Sequence, residues 1–175
     1  YVKFAGYYWR IIRINSNGSI RMIYDGTSVH QNGDVSTDRQ YGTSKFNSSS
    51  DNNMYVGYMY TEGETHGTGT SSIIKTNVDK FYTDKLSSYA SKLDTNVGFC
   101  GDRRTILTSS NNNAGINNND TIYEGYKRVV QSNPDLSCIN DDYYTISSAS
   151  IGNRSLKYNI GLITVDELML SGSGG

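Results

Sequence analysis

The two cysteines of this sequence, Cys100 and Cys138, are the residues best suited to covalent chemistry. Both lie beside apolar residues near the ends of polar segments, and we interpret them as the two halves of a disulfide. On chain-entropy grounds, a bond closing a loop of this length stabilises a fold by about 4 kcal/mol. Such bonds persist in oxidising compartments, so the pair favours an extracellular protein. Two buried thiols in a cytosolic protein are the alternative.

A second alternative makes Cys100 a catalytic nucleophile. In residues 98–103 (Gly-Phe-Cys-Gly-Asp-Arg) the thiol could attack a substrate, with His30 or His66 as its base and an arginine to stabilise charge. The spacing of these residues matches no motif of a cysteine enzyme, so we assign no catalytic residue.

Metal binding is the third kind of chemistry that these residue types could support. The two histidines and two cysteines lack the close spacing typical of zinc sites, and both histidines are expected to be solvated in loops. Residues 51–53 and 117–120 are rich in Asn and Asp, whose oxygens could bind calcium, but neither patch has the alternating spacing of a calcium loop. We therefore predict no metal ligand and no cofactor.

Aromatic residues cluster in two segments, 7–9 (Tyr-Tyr-Trp) and 55–60, where Tyr55, Tyr58 and Tyr60 recur. They could form stacking platforms for sugar rings. Alternate aromatic residues in strands more often fill a core, and we favour that interpretation.

Composition excludes several classes of partner. The chain carries 16 basic and 17 acidic residues, with no basic stripe, so nucleic acid is disfavoured. No apolar run is long enough to span a bilayer. Asn, Ser and Thr together number 56, which gives an uncharged polar surface suited to an extracellular protein. Because the sequence begins at Tyr1, we expect any signal or anchor to lie upstream.

The pattern of apolar residues predicts an N-terminal hairpin, in which strands 7–14 and 19–24 flank the turn-forming pair Asn17-Gly18. Ser71 or Ser72 is expected to cap a helix, followed by a shorter helical turn to residue 93. Its apolar face would consist of Ile74, Val78, Phe81 or Tyr82, and Leu86. Further strands are predicted over residues 54–60, 97–100, 143–146 and 158–163, and a second helix over 121–131.

A capping box starts the last predicted helix. Thr164 is expected to accept a hydrogen bond from the amide of Glu167, whose carboxylate reaches back to the amide of Thr164. Long polar loops over 25–53, 61–70 and 109–120 separate the elements, with little to pin the first of them to a core. We predict one α+β domain over residues 1–170, with an antiparallel sheet and two or three helices, and a flexible tail over 171–175.

Six blocks resemble a large, uncharacterised family of surface proteins from low-GC Gram-positive gut bacteria. They are 1–15 (YVKFAGYYWRIIRIN), 18–23 (GSIRMI), 55–59 (YVGYM), 87–93 (SSYASKL), 98–103 (GFCGDR) and 160–167 (IGLITVDE). The last block is also similar to the strand-then-helix element of the C-type-lectin-like and sulfatase-modifying-factor folds.

The resemblance implies a C-type-lectin-like fold, a surface location, and a disulfide between Cys100 and Cys138, which match the two recurring cysteines of the family. Family members continue past the last helix into a further sheet segment, so we expect this fold to be truncated at its C-terminus. The calcium and sugar ligands of true C-type lectins would lie beyond Gly175, and none is assigned. No catalytic residue transfers.

We therefore expect a non-catalytic, extracellular module that binds or adheres to a glycan or to a protein of a host or neighbouring cell. Two alternatives stay open. One is a cell-wall or peptide-modifying enzyme that uses Cys100, and the other is a structural spacer of a surface protein. We expect no contact of this segment with a membrane.

Overall fold

The computed structural model describes residues 1–31, 33–46, 71–102, 106, 123–138 and 142–171. Over these residues the chain forms a small α+β fold with antiparallel sheets and few helices, as predicted. The elements in chain order are β1 (Val2–Phe4), β2 (Tyr7–Ile14), β3 (Ile20–Tyr24), α1 (Ile73–Phe81), β4 (Phe99–Cys100), α2 (Glu124–Val130), β5 (Tyr143–Tyr144) and α3 (Val165–Leu170).

The predicted hairpin is confirmed as β2 and β3, which pair antiparallel. Gly18 takes a φ of 84° in the turn, and its amide donates to the carbonyl of Asn15 at 2.9 Å. A third strand that the sequence analysis did not predict, β1, pairs with the other edge of β2. The turn between them places Ala5 and Gly6 both at positive φ, as a tight hairpin turn requires.

A bulge in β2 changes which residues face each other across the hairpin. Ile11 pairs with Met22 and Arg13 pairs with Arg21, so Ile12 is the extra residue in β2. The bulge thereby places two arginines directly opposite each other.

One face of the three-stranded sheet packs on α1 through an aromatic core. Trp9, Phe81 and Leu86 are buried there. The Trp9 ring meets those of Tyr24 and Phe81 edge-on, at centroid distances of 5.7 and 6.2 Å, a geometry that favours aromatic pairs. Trp9 therefore fills a core, as we predicted for 7–9; residues 55–60 and the strand predicted over 54–60 lie outside the described residues.

The helix predicted from Ser71 or Ser72 begins at Ile73, with Ser72 as its cap. The Ser72 hydroxyl accepts a hydrogen bond from the amide of Lys75. The chain continues as a π-helical turn (Tyr82–Leu86) and a 3-10 helix (Ser87–Lys92), which confirms the predicted shorter extension.

A second, two-stranded sheet pairs β4 with β5 and has its own core. Tyr144 and Leu156 are buried there, with Phe99, Ile146 and Leu162 packed against them. These strands are shorter than the predicted segments 97–100 and 143–146. The helix predicted over 121–131 is present as α2.

The strand predicted over 158–163 is wrong. This segment has no ladder partner among the described residues, and Ile160 donates its amide to the carbonyl of Tyr158 in a tight local turn. Its apolar side chains pack into the cores without sheet pairing, Ile160 in the first and Leu162 in the second. The capping box that follows is confirmed and starts α3.

Candidate functional site

The predicted disulfide between Cys100 and Cys138 is present. It joins β4 to the segment after α2 across a sequence separation of 38 residues, with the two Cα atoms 5.9 Å apart. Neither cysteine is free, so the chain in this form has no thiol that could act as a nucleophile.

His30 was expected to be solvated, and that expectation is wrong. Its ring is buried, with 7% of the residue exposed, and Nε2 lies 2.9 Å from Asp38 Oδ1. The Ser28 hydroxyl lies 3.4 Å from the same nitrogen. A catalytic triad needs the serine and the carboxylate on opposite ring nitrogens, so this arrangement is structural. His66 lies outside the described residues.

The described part of the polar segment after β3, residues 25–31 and 33–46, is tied to the sheet, contrary to our expectation of a loop with few anchors. The Tyr8 amide donates to the carbonyl of Gly26 at 2.9 Å, and the Tyr24 hydroxyl donates to the carbonyl of Asp38 at 3.0 Å. Asp38 accepts hydrogen bonds from the backbone and hydroxyl of Thr27 and Ser28. A hydrogen bond from the Ser36 hydroxyl, together with the bonds from Thr27 and Ser28, holds the pKa of Asp38 well below its usual range.

A second carboxylate ties the same segment to β2. Asp25 is buried and forms ion pairs with Arg10 at 3.1 Å and with Arg39 at 2.9 Å. Because long polar segments supply many candidate partners for such carboxylates, the sequence alone does not identify these pairs.

A polar groove lies beside the disulfide, and we call it the disulfide groove. Its cavity volume is about 20 Å³, room for roughly one water molecule, and the rest of the groove is open to solvent. Both cysteines line it, and so do charged residues from β2, β3, α3 and the segments that follow β4 and α2. These charged residues are Arg13, Arg21, Asp102, Asp135, Asp166 and Glu167.

Arg13 and Arg21 form one wall of the groove. Like charges directly opposite each other on a sheet repel, and here Glu167 of α3 lies against both. Its Oε1 is 3.1 Å from Arg21 Nε and 3.6 Å from Arg13 Nη2. The Arg21 guanidinium also stacks on the Phe99 ring at 4.1 Å and donates to the carbonyl of Gly98.

A second part of the lining, the acidic wall formed by Asp102, Asp135 and Asp166, is organised by Arg128 of α2. Its Nε and Nη2 both donate to the Asp166 carboxylate at 2.8 Å, and Nη2 also donates to Asp102. The Asp135 amide donates to Asp166 at 2.8 Å, which ties the segment before Cys138 to α3.

The hydrogen bonds of this wall determine the pKa shifts of Asp166 and Arg128. Burial alone would raise the pKa of Asp166, but the bonds from Arg128 and from the Asp135 amide outweigh burial, and the pKa lies below its usual value. Hydrogen bonds to Asp166 likewise raise the pKa of Arg128, against the lowering effect of burial.

Part of this site was visible in the sequence. The Thr164–Glu167 capping box was visible as a local motif, and the cysteines as a pair. The second role of Glu167, as counter-ion to Arg13 and Arg21, was missed, as was the pairing of Arg128 with Asp166. Partners 38 or more positions apart leave no local pattern.

The described residues contain no group of three or more His, Cys, Asp or Glu side chains arranged to hold a metal ion. The Asn- and Asp-rich patches 51–53 and 117–120 lie outside those residues. Among the described helices, none is long and apolar enough to cross a bilayer.

Comparisons of the chain with family profiles, with curated proteins and with solved structures each found no match.

Proposed function

We propose that the chain is a non-catalytic, extracellular binding module of a Gram-positive surface protein, which recognises a glycan or a protein. The observation that carries the proposal is the Cys100–Cys138 bond in the lining of a polar groove. A disulfide of this kind persists in an oxidising environment, which for a bacterial protein lies outside the cytoplasm.

The build of the groove supports binding over catalysis. Its carboxylates and guanidiniums pair with one another across β2, β3, α2 and α3. Asp166, whose pKa is held below its ordinary value by Arg128, is poorly suited to general acid–base catalysis near neutral pH. Membership of the surface-protein family and a C-type-lectin-like fold belong to the same proposal, and the block similarities of the sequence support both.

A glycan array probed with the oxidised chain tests this function, with the Cys100→Ala/Cys138→Ala variant as a matched control. We expect binding to a defined group of glycans, weakened in the variant because β4 and the segment after α2, which both line the groove, are no longer joined. A panel of purified surface proteins from host and neighbouring cells would be probed in parallel. Absence of binding in both surveys would favour the spacer alternative and contradict the proposal.

The enzyme alternative has a separate test, since it requires a free thiol at Cys100. Turnover of cell-wall peptides that disappears in a Cys100→Ala variant and needs a reductant would overturn the binding proposal. We expect no turnover with or without reductant.

A further inference from the structure

We propose that Tyr41 is a stacking surface for a neutral sugar residue and that Asp84 accepts hydrogen bonds from the hydroxyls of that sugar. We call the exposed surface of Tyr41, Lys80 and Asp84 the tyrosine platform. This inference rests on the proposed binding function, and it gives that function a class of ligand and a contact surface separate from the disulfide groove.

The Tyr41 ring is exposed and yet held in place. The residue is 43% exposed, and its ring meets that of the buried Phe81 nearly at a right angle, with the two centroids 4.7 Å apart. The Tyr41 hydroxyl donates to Asp84 Oδ2 at 2.8 Å. An aromatic side chain that the protein already holds loses little conformational entropy when a ligand packs against it. The exposed part of the ring is therefore a preorganised apolar surface.

The segment that carries Tyr41 is anchored along α1. At the far end of this segment the Phe46 carbonyl accepts from the amide of Ile74 at 3.2 Å. Between the two ends, the Asn77 side chain donates to the Ser44 hydroxyl at 2.7 Å. The platform thus rests on a helix, which positions a binding surface more closely than a free loop does.

Asp84 supplies an acceptor beside the ring. Its side chain is 35% exposed, and Oδ2 accepts from both Tyr41 and Lys80. Within the described part of the chain, Oδ1 takes no hydrogen bond. The bonds from Lys80 and Tyr41 hold the pKa of Asp84 below its usual value, so the carboxylate stays ionised at neutral pH. An ionised acceptor forms stronger hydrogen bonds to hydroxyl groups than a neutral one.

The charges on the platform favour a neutral ligand. Lys80 lies 2.6 Å from Asp84, so the two charges balance each other. An anionic group would meet the Asp84 carboxylate, and a cationic group would meet Lys80. A sugar donates hydroxyl protons to the carboxylate, accepts from the ammonium, which has three donors, and packs its C–H face on the ring. The combination of an apolar ring with a paired donor and acceptor therefore matches a neutral sugar.

Titration of the oxidised protein with the methyl glycosides of glucose, galactose, mannose and N-acetylglucosamine, followed by NMR, tests the proposal. We expect at least one glycoside to bind, to shift the ring-proton resonances of Tyr41, and to receive saturation transfer from that ring on its C–H protons. Methyl glucuronide serves as the anionic counterpart of the glucoside and should bind more weakly.

Three variants localise the effect. Tyr41→Ala should weaken binding of the glycoside about 10-fold or more, because the stacking surface is lost. Tyr89→Ala is the matched control, since Tyr89 is 39% exposed and packs its ring on Phe4 instead, and it should leave the affinity unchanged. Asp84→Asn should also weaken binding, because an amide oxygen is a weaker acceptor than a carboxylate. Should Tyr41→Ala fail to fold, Asp84→Asn and the Tyr41 resonances of the wild-type protein decide the matter.

The outcomes separate this inference from the proposed function. The inference is overturned if no glycoside shifts the Tyr41 ring protons, if Tyr41→Ala binds as tightly as the wild type, or if methyl glucuronide binds more tightly than the glucoside. Array binding that Tyr41→Ala retains and the Cys100→Ala/Cys138→Ala variant loses also overturns it and leaves the binding function standing. No binding in any survey defeats both.

Discussion

Replacing Glu167 by glutamine removes the negative charge that lies against Arg13 and Arg21 while keeping the size of the side chain. The glutamine can still accept from the amide of Thr164 through its carbonyl oxygen, so much of the capping box survives. The loss of stability therefore reports mainly the ion pairs.

The magnitude follows from burial. Removing one partner of a buried ion pair costs roughly 3–5 kcal/mol, because the other charge is left uncompensated. Glu167 and Arg21 are buried, at 4% and 9% exposure, but Arg13 is partly solvated. We therefore expect Glu167→Gln to lower the free energy of unfolding by about 3 kcal/mol.

Urea unfolding at neutral pH measures this change, with Glu124→Gln as the matched control. Glu124 lies 3.8 Å from Arg128, and its side chain is 38% exposed, so its loss should cost less than about 1 kcal/mol. Equal destabilisation by the two substitutions would refute the argument that Glu167 holds the two arginines together.

Three further predictions concern the scaffold. The Cys100→Ala/Cys138→Ala variant should lose about 4 kcal/mol of unfolding free energy in urea, given the sequence separation of 38. The pKa of Asp166 lies below its ordinary value of 3.8, so its carboxylate stabilises the fold above that pH, and this contribution is lost as the pH falls further. The free energy of unfolding of an Asp166→Asn variant should therefore fall less than that of the wild type between about pH 5 and pH 2. Gly152→Ala should cost more than about 1 kcal/mol by thermal unfolding, because Gly152 has a φ of 78° and the new Cβ would lie 2.6 Å from the carbonyl oxygen of Tyr143.

The elements that the sequence predicted are those with local causes. The hairpin follows from Asn17-Gly18 between two runs of β-branched and aromatic residues, and α3 follows from the spacing of Thr164 and Glu167. In both cases a few adjacent residues determine the conformation, so the pattern is visible without the fold.

What the sequence did not predict depends on distant contacts. The burial of His30 requires Asp38, and the opposite placement of Arg13 and Arg21 requires the bulge at Ile12. The apolar run 158–163 was predicted as a strand because short apolar runs have no diagnostic period. Its lack of a sheet partner becomes visible only in three dimensions.

Thiol labelling of the purified, folded protein is the decisive measurement, since the scaffold and the proposed extracellular location both depend on the bond between Cys100 and Cys138. Intact mass would be measured after alkylation in denaturant, before and after reduction. We expect no label on the unreduced chain and two labels after reduction, since both cysteines form the disulfide. Two labels without reductant would contradict it.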